Sequence, residues 1–436
     1  MRVTMIGAGY VGLVSGACFA DFGHQVTCID KDVKKIAALN RGEIPIFEPG
    51  LTDLVEFNIR QGRLEFAAEA SRVAEAEAVF IAVGTPSRRG DGHADLTFVY
   101  EAVREIAPLL AGSAVVITKS TVPVGTGDEI ENILREKRPD VEIEVVSNPE
   151  FLREGAAIQD FKHPDRIVVG TDNDRARQVL AEIYRPLYLN APPIIYVSRR
   201  TAELIKYASN AFLATKITFI NEMADLCEQV GADVQEVARG MGLDNRIGSK
   251  FLHAGPGFGG SCFPKDTSAL IKTAHDYGVP LRIVETVSAV NEQRKRAMAR
   301  KVVLALGGSV RGKTVAVLGL TFKPNTDDTR DSPAIPLITA LNDLGAAVRG
   351  YDPAGMEQAK PQLPSVHYCQ DAYGAAEGAH AVVIATEWEQ FRALDLARLK
   401  RVMAHPVIVD LRNIYRVDEM KRAAFRYAPI GRAGVE

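Results

Sequence analysis

One tryptophan in 436 residues, no CxxC pair, no basic run and no long apolar run are what this chain lacks. No apolar stretch approaches the ~20 residues needed to cross a bilayer, so no membrane partner is expected. No charged-then-apolar leader opens the chain, and its first residues already read as a strand. Net charge is −3 with no lysine–arginine cluster, so nucleic acid is not an expected partner either. The five cysteines (Cys18, Cys28, Cys227, Cys262, Cys369) are odd in number and far apart. That argues against a disulfide framework and a zinc cluster, and a reducing cytoplasm is the expected compartment. What remains is 47% hydrophobic and 25% charged residues, the balance of a soluble globular protein. At ~150 residues per domain the length suggests about three domains.

The N-terminal part alternates apolar, β-rich runs with helical ones, the pattern of a parallel sheet with covering helices. Strands are expected at Met1–Ile6, Gln25–Asp30, Ala78–Val83, Ala114–Thr118, Glu142–Val146 and Arg166–Val169. A helix is expected over Val11–Phe22, with Gly23 as its C-terminal cap. From Arg199 to Gly231 no glycine or proline interrupts the chain and apolar residues fall on most faces, which predicts a long, buried helix. A third region echoes the first. VAVLGL (Val315–Leu320) repeats the strand of Val3–Ile6, GAAVRGYDP resembles GHQVTCIDKD, and AHAVVIAT resembles AEAVFIAVGT. The expected fold is α/β: two Rossmann-like, doubly wound domains (1–198 and 308–436) joined by a long central helix and a helical region (199–307).

Gly7-Ala8-Gly9-Tyr10-Val11-Gly12 fits GxGxxG, directly after a strand and opening a helix. Gly7 permits the tight turn, Gly9 lets backbone amides approach a pyrophosphate, and Gly12 lets helix and strand pack closely. Asp30 ends the second strand roughly 20 residues on, where a carboxylate binds ribose hydroxyls and repels a 2′-phosphate. NAD is therefore the expected cofactor, with Lys35 near the same adenosine end. Thr85 and Thr121, in VGTP and KSTVP, follow two further strands. Their hydroxyls suit a nicotinamide ribose or amide, or equally a capping turn.

The most unusual string is Gly255-Pro256-Gly257-Phe258-Gly259-Gly260-Ser261-Cys262-Phe263-Pro264-Lys265-Asp266. So many glycines free the backbone before a cysteine, so the loop can wrap a ligand and present a thiol. Lys265 beside it favours the nucleophilic thiolate. Lys206 and Asn210 lie one turn apart on the long helix. A developing oxyanion would answer both; a structural hydrogen-bond pair is the other reading. In SNPEFLREG, Glu150 and Glu154 have the same spacing, so a short helix would aim both carboxylates alike, either as acid/base groups or as a solvated turn.

Together GAGYVG, VGTP, KSTVPVGT, SNPEFLREG, KYASNAF, GFGGSCFPKD and GLTFKPNTDDTRDSP resemble the UDP-glucose 6-dehydrogenase family of nucleotide-sugar dehydrogenases, in motif order and over essentially the whole chain. The resemblance implies an NAD-binding first domain, a central dimerisation region, a C-terminal domain for the UDP-sugar, and a homodimer. It implies a four-electron oxidation of UDP-glucose to UDP-glucuronate, with Cys262 as nucleophile through a thiohemiacetal and a thioester. Asp266 resembles the group that handles protons with a water, Lys206 and Asn210 the pair that stabilises the C6 oxygen. Glu150 matches the residue assisting thioester hydrolysis, and Thr121 one holding a catalytic water and the cofactor. Gly7, Gly9, Tyr10, Val11, Gly12, Asp30, Lys35, Thr85, Glu154, Lys265 and Arg330 would contact NAD. The substrate match covers Phe151, Leu152, Arg153, Glu154, Phe251, Leu252, His253, Ala254, Gly255, Gly259 and Lys323, beside Lys206 and Asn210. Arg246 resembles an arginine reaching the substrate across a dimer interface. The chain departs from the family pattern in the glycine- and charge-rich linker Arg88–Asp95 and at Leu411, where relatives often carry glycine.

Three other readings compete. GDP-mannose and UDP-N-acetyl-hexosamine dehydrogenases share the cysteine. A two-electron hydroxyacid dehydrogenase would need no thiol. A non-catalytic dinucleotide sensor would have lost Cys262, Lys206 or Asp266.

Overall fold

The computed structural model describes every residue except 89–91, 113, 191 and 436, so part of the Arg88–Asp95 linker lies outside the described residues. The chain forms two compact units. One is Met1–Ser209 with Lys272–Val279; the other is Asn210–Ile271 with Pro280–Glu436.

The first unit carries strands β1 (Arg2–Ile6), β2 (Gln25–Ile29), β3 (Leu64–Ala67), β4 (Ala78–Ile81), β5 (Val115–Thr118), β6 (Glu144–Ser147), β7 (Ile167–Gly170) and β8 (Ile194–Val197). Their order is β3-β2-β1-β4-β5-β6-β7-β8. Every pairing is parallel but β6 with β7, which meet antiparallel at Ser147 and Gly170. Strands β4, β5 and β7 are buried on both faces, as a sheet covered by helices requires. Alternate residues divide between two cores: Val3, Met5, Phe80 and Ile117 on one side, Ile6, Val79, Ile81 and Val116 on the other. The helix Tyr10–Asp21 ends as expected, with Gly23 at φ 96° just past the cap and its N–H on Ala20 O at 2.9 Å.

The second unit carries β9 (Thr314–Leu318), β10 (Ala347–Tyr351), β11 (His367–Tyr368), β12 (Ala381–Ile384), β13 (Val407–Asp410) and β14 (Arg426–Pro429). They form one parallel sheet in the order β11-β10-β9-β12-β13-β14. The expected α/β architecture, two doubly wound sheets with a long helix between them in sequence, is what the chain adopts.

That helix spans Arg199–Val230, and the division between the units falls inside it. It is not buried all round. Leu204, Phe212, Phe219, Leu226 and Val230 are exposed, Phe212 by 66%. The apolar residues counted as core therefore include an uncovered stripe, with Phe212, Phe219 and Leu226 two turns apart on one face. Among the described residues no helix is long and apolar enough to cross a membrane.

Candidate active site

The C-terminal ends of β1, β4, β5 and β6 share one edge of the first sheet, where ligands of open α/β sheets bind. β1 runs into the glycine turn, and the helix Tyr10–Asp21 begins directly after Gly9. A Cβ on Gly12 would lie 1.8 Å from Gly7 O, so only glycine lets the helix sit on the turn. A Cβ on Gly9 would meet nothing, which leaves the turn's outer side open for close approach by a phosphate. Asp30, just past β2, accepts Ala8 N at 2.9 Å and Lys35 Nζ at 2.8 Å on Oδ2, and Asp32 N at 3.0 Å on Oδ1. Burial alone would raise its pKa, but these hydrogen bonds hold it below the usual carboxylate range. One Oδ1 lone pair is left for a ribose hydroxyl. The turn and the charged Asp30 fit a dinucleotide without a 2′-phosphate. Thr85 Oγ1 donates to Thr121 O at 2.9 Å, so these two strand ends brace each other.

Beyond β6 the structure corrects one expectation. No helix spans Glu150–Glu154. Pro149 disfavours helical backbone before it, and the Glu150 carboxylate accepts Leu152 N at 2.5 Å, a local turn that no helix continues. The two carboxylates consequently part. Glu150 is buried and receives Lys206 Nζ at 3.1 Å, whereas Glu154 is half-buried. The Phe151 ring lies 5.3 Å from Lys206 Nζ and 3.5 Å from the Arg166 guanidinium. Arg153 is exposed and pairs with Asp160 at 2.6 Å. A cavity of ≈ 10 Å³ lined by Thr118, Ser120, Thr121, Glu203 and Lys206 has room for a single water.

Two residues here carry no motif signal in the sequence. The buried Glu48 carboxylate accepts Gly155 N at 2.6 Å and Ala157 N at 2.8 Å, together with the Tyr10 hydroxyl, and so ties the Phe151–Glu154 segment to the glycine turn. Glu203 accepts Gly125 N at 2.7 Å and Gly127 N at 2.8 Å at the start of the helix Thr126–Lys137. It thereby fastens the long helix to the segment after Thr121.

In the second unit Cys262 immediately precedes the helix Phe263–Asp276, and Asp266 N bonds to its carbonyl at 2.8 Å. A thiol at a helix N-terminus gains thiolate character, a contribution the string alone does not reveal. Cys262 is the partly accessible cysteine, while Cys18, Cys28, Cys227 and Cys369 are buried. Burial pushes the Cys18 and Cys28 thiols up to about 12. Buried Asp266 receives Asn210 Nδ2 at 2.6 Å and Lys265 Nζ at 2.8 Å. Asn210 and Lys206, one turn apart, thus have different carboxylates as partners.

The glycine loop is held rigidly. Gly255 N bonds to Asn221 Oδ1 at 2.8 Å, Arg294 Nε to Gly255 O at 2.7 Å, Phe258 N to Asn291 Oδ1 at 2.8 Å, and Gly260 N to Arg330 O at 2.9 Å. Asn221, Asn291 and Arg294 are buried polar side chains on helices; Asn221 interrupts an apolar stretch, whereas Asn291 and Arg294 lie in the polar string NEQRKR, where nothing marks them as buried. Before the loop, Phe251 has φ 65°, Leu252 is buried in the core, His253 is exposed and Ala254 half-buried. Arg246 is exposed and pairs with Asp244, Arg330 pairs with Asp328, and Lys323 lies 5.2 Å from the Phe322 ring. Leu411 is fully buried, and beside it Arg412 donates to Phe322 O at 3.1 Å.

Comparison with known proteins agrees with these two halves. Residues 1–188 match the NAD binding domain of the UDP-glucose/GDP-mannose dehydrogenase family, 200–293 its central domain and 316–417 its UDP binding domain. The chain is 66% identical to a UDP-glucose 6-dehydrogenase of Rhizobium meliloti, covering 99% of this chain and 100% of that one. It is 46% identical to the UDP-glucose 6-dehydrogenase TuaD of Bacillus subtilis, covering 100% and 94%. A solved UDP-glucose dehydrogenase from Pyrobaculum islandicum superposes with TM-score 0.90 at 39% identity, covering 99% of this chain and 98% of that one. The glycine turn with its acidic strand end, the loop presenting a thiol at a helix start and the full-length matches converge, and the chain belongs to the UDP-glucose/GDP-mannose dehydrogenase family, with an NAD-binding first domain.

Proposed function

We propose that the chain oxidises C6 of UDP-glucose to the carboxylate in two hydride steps, yielding UDP-glucuronate. The observation that carries the reading is Cys262: a partly accessible thiol at a helix start, on a rigid loop, next to the buried Asp266–Asn210–Lys265 group. When bound, NAD supplies the hydride acceptor, one NAD molecule for each of the two oxidations. The first converts the hydroxymethyl to an aldehyde, the hydroxyl proton leaving through a water that Asp266 holds. Cys262 Sγ then adds to the aldehyde carbon and gives a thiohemiacetal, which retains the hydrogen that the second oxidation removes. The resulting thioester is hydrolysed by water with Glu150 assisting, which returns the thiol and the acid. Lys206 and Asn210 stabilise negative charge on the C6 oxygen throughout, and no free aldehyde need be released.

The long string FLHAGPGFGGSCFPKD and the names of the most similar full-length relatives support UDP-glucose over GDP-mannose or a UDP-N-acetyl-hexosamine. The borders 1–198, 199–307 and 308–436 belong to this proposal, as does a cytoplasmic homodimer. The exposed stripe of Phe212, Phe219 and Leu226 and the side chain of Arg246, 89% exposed, support the dimer.

The test is a count of NADH formed per UDP-glucose, with GDP-mannose and a UDP-N-acetyl-hexosamine in parallel. Two NADH per UDP-glucose, lost in Cys262→Ala, is the expected result. One NADH with the variant unaffected would point to a two-electron dehydrogenase. Cys262→Ser should stall, with sugar retained as an ester detectable by mass.

A further inference from the structure

Lys119, just past β5, is 4% exposed and takes no part in the steps proposed above. Its Nζ donates to Asn148 Oδ1 at 3.1 Å and to the Tyr184 hydroxyl at 3.0 Å. Tyr184 in turn donates to Asn148 Oδ1 at 2.6 Å, and Asn148 Nδ2 donates to Val168 O at 2.8 Å. The rings of Phe161 and Tyr184 lie 5.9 and 5.7 Å from the ammonium. Among the described residues no carboxylate touches it. A buried cation with only neutral acceptors is costly to keep unless its charge does something.

Two charged groups act on it. Glu150, two residues past Asn148 in the chain, favours the ammonium, and Lys206 on the long helix opposes it. Phe161 and Tyr184, from the helices Ala157–Lys162 and Asp174–Tyr184, close the site without charge. Lys119, Glu150 and Lys206 thus form a group of two cations and one anion, and the anion is in direct contact with Lys206 at 3.1 Å.

We propose that Lys119 is a positioning residue: its positive charge, held on Asn148 two residues before Glu150, offsets that carboxylate and leaves the Lys206 ammonium to answer the negative oxygen on C6. The proposal rests on the functional reading above. With Glu150 alone beside it, the Lys206 charge would be largely cancelled at the substrate. In a poorly polarisable interior one more buried charge acts over several ångströms. Burial holds Lys119 down to about 8, so its proton is lost within the range where the enzyme can be assayed.

The experiment is the pH profile of kcat for the full chain at saturating UDP-glucose and NAD, with Lys119→Met and Tyr184→Phe. Wild-type kcat should fall on the alkaline side as Lys119 deprotonates. Lys119→Met should lose about tenfold at neutral pH, less than the ~10²–10³ lost with a direct oxyanion donor. It should keep the KM for NAD and lack the alkaline fall. Tyr184→Phe removes one acceptor from the ammonium and favours the neutral amine, so its alkaline fall should move to lower pH. Wild-type kcat in Lys119→Met, or a Tyr184→Phe profile superposing on wild type, overturns the proposal. If Lys119→Met does not fold, Tyr184→Phe decides alone. A wild-type protein that forms no NADH from UDP-glucose overturns the functional reading instead, before either variant is assayed.

Discussion

The two sheets use one structural position in opposite ways. Gly7 follows β1 at φ 103° and its N–H meets Ile29 O at 2.7 Å; Gly319 follows β9 at φ 96° and its N–H meets Tyr351 O at 2.9 Å. Asp30 and Asp352 each stand just past the neighbouring strand. Asp352, fully buried, spends its carboxylate internally on Leu320 N, Thr321 N and Oγ1, Trp388 Nε1, Ala354 N and Gly355 N. Asp30 accepts three hydrogen bonds and keeps a lone pair. In the first unit a helix starts right after the turn. In the second the next helix waits until Ala334, so the turn after β9 does not lead directly into a helix. A shared topology therefore gives one dinucleotide site and one structural knot, decided by where the helix begins and by what the aspartate binds.

The sharpest way to break this contrast is Gly12→Val. Its side chain cannot coexist with Gly7 O, so NAD binding should fall by more than about a hundredfold by calorimetric titration. Next comes Asp352→Asn. Its amide nitrogen cannot accept from the buried donors, so denaturant unfolding should show a loss of about 2–4 kcal/mol, with NAD affinity unchanged. Asp30→Asn should do the reverse: roughly 1 kcal/mol or less of stability, but about tenfold weaker NAD binding and a smaller preference over NADP. If Asp30→Asn destabilised the protein as much as Asp352→Asn, the distinction would collapse. The smallest effect concerns pH. Because the folded pKa of Asp30 is lowered, its stabilisation is present above the ordinary value of 3.8 and lost as pH falls through the folded value. Stability curves of wild type and Asp30→Asn, measured without cofactor, should stay evenly offset above about pH 4 and converge as pH falls below it through the folded value.

Much of the site was legible because it is local. The glycine turn, Asp30, the thiol loop and the echo of β1–β2 in β9–β10 each lie within one short string. The helix expected at Glu150–Glu154 failed because spacing says nothing about a carboxylate closing on its own Leu152 amide. Glu48 and Glu203 left no trace, and Lys119 stood in KSTVP with nothing to mark its burial or its partners. Their partners are amides or side chains tens of residues away: Glu48 with Gly155, Glu203 with Gly125, Lys119 with Tyr184.

Periodicity and glycine placement, read along the chain, determined the two doubly wound sheets, the dinucleotide turn and the glycine loop that carries Cys262, since backbone geometry and strand burial depend on near neighbours. Which carboxylates are charged and spent, which cysteines are sealed and which face of the long helix stays bare were decided only by folding. Those outcomes depend on desolvation and on hydrogen-bond partners brought from distant segments, and no spacing in the chain encodes them.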